Sequence, residues 1–394
     1  MKKTSRKAQL LNGIKTEWDL SLFYSSITDP QIEKDVRVTE KIYEGFAKKY
    51  QKNKDYTTDI QKLLPALKDW QKLMEVSSGK AVRYLHCITD LDSSNTKAAS
   101  LMNVLLDRLT KASNKTLFFE LNLGKIDPKL QKEILGHKDF SVYKYYLEIL
   151  FRNARHNLSE AEEMILSLKF APAHRMWVTA QQKFLSSKTI KFKGRELSFA
   201  EAIDLRMNLP FKDRTELHKK LMTLCREVSF FAEAELVAII NNKKTSDELR
   251  GFTSPEEATI LHYQNNKKSV DTLVSTITKH FSSAHKFYKL KARLMGVPYL
   301  SGVDVSVSIG KAEKKIKFEE AVDLIRSSFS KADQTFTDIF NSMLALGQID
   351  VYPKKAKRGG AYCGWAHKQP TVVFMNYVES MRSVETLAHE MGHA

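Results

Sequence analysis

Cysteine is scarce in this 394-residue chain: Cys87, Cys225 and Cys363 stand far apart and never form a CxxC pair. That excludes a disulfide framework and a thiolate cluster, and it points to free thiols in a reducing compartment, by default the cytoplasm. No run of about 18 apolar residues occurs, so no membrane-spanning helix is expected. Residues 1–12 are basic, but no apolar stretch with a small-residue cleavage site follows, which argues against a secretory signal. Glycine and proline number only 15 and 9, and neither an internal repeat nor a low-complexity linker breaks the chain. Acidic residues fall short of basic ones, 46 against 63, leaving a net charge of +17. The basic residues are dispersed (Lys2, Lys3, Arg6 and Lys7; Lys48 and Lys49; Lys267 and Lys268; residues 354–358), and no nucleic-acid-binding signature accompanies them. A solvated basic surface is therefore expected, with neither nucleic acid nor membrane as partner.

What is present is helical texture. A hydrophobic fraction of 42% suffices for a substantial core. Residues 30–113 read as long amphipathic helices, with Leu63, Leu64, Leu67, Trp70 and Leu73 recurring at helical spacing. Asp127-Pro128 marks one helix start, and Ser159 with Glu162, Ser198 with Glu201, and Ser254-Pro255 with Glu257 each fit a capping box. One long helix is predicted over residues 269–295, with Val270, Leu273, Val274, Ile277, Phe281, Ala284 and Tyr288 facing inward and Gly296 and Pro298 ending it. Strand signals are few. Thr189 onward, with a turn at Gly194-Arg195, suggests a small hairpin, and residues 360–365 and 371–377 suggest two short strands. The second of these is apolar at consecutive positions, so both of its faces should be covered. The predicted class is mainly α, with a few short strands beside the last helix and soft divisions near residues 110 and 200.

The chemistry lies at the end of the sequence. Ser383 is a plausible N-cap with Glu385 in the first turn, followed by His389-Glu390-Met391-Gly392-His393. Histidines four residues apart share one face of a helix and can reach a single ion, while Glu390, rotated about 100° from His389, can approach the water on that ion without occupying the ion itself. The pattern implies one Zn²⁺ that acidifies water and polarises a peptide carbonyl, with Glu390 as the base that takes the proton and returns it to the leaving amine. Only one chain in roughly fifty of this composition would carry the pattern by chance. A zinc hydrolase needs a third protein ligand. Glu385 is too far along the axis to share an ion with both histidines, and His367 and Glu379 are left as remote candidates.

The residues from Val384 to Ala394 resemble the signature of the M3 metallopeptidases, in their oligoendopeptidase F branch. The likeness extends through Gly347-Gln348-Ile349-Asp350-Val351-Tyr352-Pro353, Lys357-Arg358-Gly359-Gly360-Ala361-Tyr362-Cys363 and Asn376-Tyr377, and upstream through His156-Asn157-Leu158-Ser159 with Glu162-Glu163 and Trp18-Asp19-Leu20. The resemblance implies a helical N-terminal region (residues 1–110), an oligopeptidase F N-terminal-like domain (111–200) and the first part of an M3 catalytic domain (201–394). It also implies a cytoplasmic zinc endopeptidase for short peptides, whose substrate lies along an edge strand at Gly360, Ala361 and Tyr362. In that family a glutamate on a helix some two dozen residues beyond the second histidine completes the metal site, and later histidine and tyrosine residues steady the oxyanion. These positions lie beyond Ala394. The sequence therefore predicts a chain truncated after the motif and inactive alone, with a separately encoded C-terminal fragment as one partner besides the oligopeptide. The competing expectation is a non-catalytic helical protein that binds peptides or pairs with such a fragment.

Overall fold

Two layers of helices at the N-terminal end build the platform on which everything later rests. The computed structural model describes residues 13–76, 79–207, 209–309 and 315–394; the basic cluster Lys2, Lys3, Arg6 and Lys7 lies outside them. Asp29 starts the first long helix, Pro30–Tyr50, by accepting the Gln31 N–H, with Pro30 at the position where a missing donor costs nothing. It packs with the helices Ile60–Val76 and Thr96–Asn114, and the latter packs with Lys80–Leu91. The predicted stripe is inward: Leu63, Leu67 and Leu73 are buried among Phe46, Phe119 and Phe140, with Leu64 and Trp70 packed against them. The fold is mainly α, as expected, and among the described residues no helix is long and apolar enough to cross a membrane.

The His156-to-Glu163 motif turns out to be a latch between this N-terminal region and the end of a 39-residue helix, Phe211–Leu249. The His156 ring stacks on Phe252 at 4.0 Å, and its Nδ1 lies 2.8 Å from the Arg250 carbonyl oxygen. The Arg250 guanidinium donates to both Glu163 oxygens, at 2.6 and 2.7 Å. Ser159 and Glu162 form the predicted capping box. A forked, half-buried ion pair of this kind is worth more than a surface contact. Arg250→Met is expected to destabilise the protein by about 2 kcal/mol, read as a lowered midpoint in urea unfolding.

The predicted hairpin is present as β1 (Thr189–Phe192) and β2 (Arg195–Ser198), with its turn one residue earlier than expected. Lys193 and Gly194 both take positive φ, 48° and 77°, which is the two-residue turn that matches strand twist. The Ser254 cap is not formed. Thr253 instead bonds Glu257 through its N–H and hydroxyl, and the short helix Glu257–His262 begins after Glu256. The long helix predicted over 269–295 is two helices, Lys267–Lys279 and Phe281–Leu294. The break is at His280, whose Nδ1 sits 2.7 Å from the Thr276 carbonyl oxygen and competes with the main chain for it. The stripe read as inward is exposed among the described residues: Leu273, Val274, Ile277 and Phe281 are 60, 57, 51 and 50% accessible. The amphipathic pattern was correct, but the described residues do not cover that face. Gly296, at φ 68°, ends the second helix as predicted.

A three-stranded sheet in the order β3-β5-β4 lies against the last helix: β3 Ile349–Asp350, β4 Tyr362–Gly364 and β5 Val372–Phe374. β5 pairs in parallel with β3 and antiparallel with β4. Its consecutive apolar residues are covered on both faces, Val373 by one core cluster and Val372 and Phe374 by another. The chain's first described segment locks onto this sheet. Trp18 donates its indole N–H to the Val373 carbonyl at 2.9 Å and its main-chain N–H to Asp350 at 3.2 Å. Asp19 donates to the Gly347 carbonyl at 2.7 Å. Only glycine fits at 347: its φ is 67°, and an added Cβ would meet Asp19 and Glu17 atoms at 3.0 Å.

Candidate metal centre

The last helix, Met381–His393, is started by Ser380, whose extended backbone lets its hydroxyl accept the Ser383 N–H at 3.2 Å. This corrects the sequence expectation. Ser383 lies inside the first turn, where its hydroxyl accepts the Val378 N–H at 3.2 Å, and Glu385 falls beyond that turn. An earlier cap wins because two serines three residues apart can serve each other and the strand end at once. Val384, Leu387 and Met391 bury one face of the helix against Phe340, Leu344 and Val373. Its opposite face carries His389 and His393, both exposed.

The two imidazoles converge. Their Nε2 atoms are 3.2 Å apart, with ring centroids 4.8 Å apart and the planes nearly perpendicular. Two nitrogens at about 2.0–2.1 Å from a tetrahedral ion would be separated by about 3.3–3.4 Å. The pair therefore fits zinc in both donor type and spacing. Glu390 is buried, on the flank that faces β4. Its charge reaches the Cys363 thiol, which is raised above the ordinary thiol range chiefly by burial and secondarily by that carboxylate.

Two ligands do not make a closed shell. Among the described residues no three His, Cys, Asp or Glu side chains are gathered as a metal ion would require. His367 lies beside Glu75 and Glu379 beside Lys315, each at 3.9 Å, and neither gathers with the histidine pair.

Among the described residues β4 is an edge strand of its sheet. Ala361 and Cys363 pack, like Ala388 of the last helix, against the core cluster that holds Leu387 and Met391. Tyr362 points the other way: its hydroxyl donates to Asp90 at 2.8 Å, its ring stacks on Phe374 at 5.2 Å, and burial raises its pKa. The Tyr362 side chain is thus spent away from the edge, and its main chain is paired with Phe374 of β5. Gly360 has φ 90°, and Asn376 fixes this bend by donating to the Arg358 and Gly360 carbonyls at 3.0 and 2.9 Å.

The sequence did not single out the post beneath this arrangement. Lys357 is wholly buried and donates to Asp350 at 2.6 Å and to the Tyr352 and Met375 carbonyls at 2.7 Å. It thereby ties β3, β5 and the approach to β4 together. Burial depresses the Lys357 ammonium and Asp350 opposes that shift. The available signal was an aspartate inside the apolar run Ile349-Asp350-Val351, which demands a buried cation.

Residues 213–394 match Peptidase family M3, and residues 122–187 match the Oligopeptidase F family. The fold is that of solved peptidases: an oligoendopeptidase F from Enterococcus faecium (TM-score 0.60, 18% identity, 80% of this chain and 65% of that one) and a PZ peptidase A solved with an inhibitor (TM-score 0.67, 13% identity, 95% and 64%). Among curated relatives, the chain is 24% identical to oligopeptidase PepF of Bacillus subtilis, over 84% of this chain and 51% of that protein. It is 22% identical to an oligoendopeptidase F homolog of Borreliella burgdorferi, over 96% and 64%. The chain belongs to peptidase family M3, in its oligoendopeptidase F branch. It spans about half to two thirds of the length of the curated relatives it matches.

Proposed function

We propose that this chain is the larger part of a cytoplasmic zinc endopeptidase that cleaves internal bonds of short peptides. The observation that carries this reading is the pair of imidazole nitrogens 3.2 Å apart on the same helix as buried Glu390. Zinc bound by His389 and His393 would supply the Lewis acidity that lets water ionise near neutral pH. Glu390 holds the proton: it takes it from the attacking water and hands it to the departing nitrogen. The outer edge of β4, from Gly360 through Ala361 and Tyr362, pairs with an extended peptide, so affinity comes from main-chain hydrogen bonds and many side chains are tolerated. The third ligand comes from a glutamate outside these 394 residues, so a polypeptide of residues 1–394 is inactive by itself.

The test has two arms. Purified 1–394 with equimolar zinc should leave an internally quenched nonapeptide intact, and chelator-sensitive hydrolysis would overturn the claim of inactivity. Joined to a glutamate-bearing C-terminal segment, covalently or as a second chain, it should turn over. In that assembly Glu390→Gln should lower kcat by about 10²–10⁴ with the zinc content unchanged. Retained turnover in the variant would remove Glu390 from the role of base.

A further inference from the structure

Beside the edge at Gly360 lies a cavity of about 290 Å³ whose walls include Asp204, Met207, Ala361, Asn376 and Arg382. Asp204 projects from the helix Phe199–Met207 and is half-buried. The influences on its carboxyl are burial, which raises its pKa, and the charge of Arg382, which opposes that; among the described residues it has no hydrogen-bond partner. Across the cavity, Asn376 spends its amide N–H groups on two carbonyls, while its Oδ1 is buried with no partner. Asp204 therefore presents an unmet carboxylate to this space, and a half-buried carboxylate without a donor costs free energy that a donor-rich occupant would return.

We infer that this cavity is a subsite for a cationic group of the bound peptide, with Asp204 as its counter-ion. The inference rests on the peptide-edge reading above. An ammonium or guanidinium carries several donors and a positive charge, and so answers the carboxylate in both hydrogen bonding and charge. The source is a lysine or arginine side chain, or the peptide's own N terminus. Arg382 lines the same cavity, is exposed, and lowers the attraction of Asp204 for a cation without pairing with it.

Binding can be read without turnover, by fluorescence anisotropy of C-terminally labelled octapeptides against the full chain. N-acetylated alanine-rich peptides carrying one lysine, norleucine or glutamate are compared, together with an unacetylated norleucine peptide. The lysine peptide is expected to bind about five- to tenfold more tightly than the norleucine one, and the glutamate peptide least tightly. If only the unacetylated peptide shows the gain, the cation recognised is the N terminus, and the subsite stands. Asp204→Asn should erase the gain and Arg382→Ala should enlarge it. Equal binding of all the peptides, or a gain that survives in Asp204→Asn, overturns the subsite and leaves the peptide edge standing. Failure to bind any peptide overturns both.

Discussion

Alanine in place of His389 or His393 is expected to remove zinc binding from the 1–394 polypeptide altogether. Losing one outer-shell partner of a metal site typically costs 10–100-fold in affinity, and here one of two direct donors goes. The parent chain should bind about one equivalent weakly, because two convergent imidazoles fix only half of a tetrahedral shell. Titration against a chromophoric chelator separates the cases. A tight single site in the parent chain would mean that some side chain within these 394 residues closes the shell, and the proposed incompleteness would be wrong. Glu390→Gln should leave this titration unchanged, since in the proposed mechanism its carboxyl serves the proton rather than the ion.

Removing the Lys357 ammonium is expected to have the largest effect on stability. Lys357→Met leaves Asp350, 1% exposed, as a buried carboxylate without its cation. Breaking a buried pair on one side costs about 3–5 kcal/mol. Two main-chain carbonyls also lose their donor. Thermal or urea unfolding followed by circular dichroism should show the loss directly. Adding Asp350→Leu should recover part of it, because an apolar pair of similar size carries no charge to desolvate. The recovery should stop short of completion, since Asp350 also accepts the Trp18 N–H. A double mutant no better than the single one would show that the packing of Lys357, not its charge, holds the sheet.

The sequence was most legible where local chemistry decides the outcome. Asp127 and Ser159 cap their helices as read, because a side-chain oxygen beside free N–H groups needs no distant partner. The spacing of Leu63, Leu67 and Leu73 found the core because those positions fall on one helical face. His389, Glu390 and His393 could be read because four residues make nearly one turn. Where competing local solutions existed, the reading slipped. Ser380 displaced Ser383 as cap, and His280 divided a helix whose apolar period runs straight through it. The parts that could not be read are the ones made by distant residues. β3 is two residues long, and its partners Trp18 and Lys357 are set by the whole fold. Asp204 carries no pattern at all; only the walls around it make it notable.

The lock between residues 15–19 and residues 344–351 has a consequence for how this molecule comes into being. Lys15, Thr16 and Asp19 bond the Leu344, Val351 and Gly347 main chain, and the Trp18 indole reaches Val373, 355 positions away. Contacts of such span close late, after the loop entropy between them has been overcome. On a ribosome, the opening segment must wait for residues 344–373 to emerge. The sheet that supports the histidine helix thus matures only after the segment around Val373 has been made, so the histidine helix is set on its support late in folding.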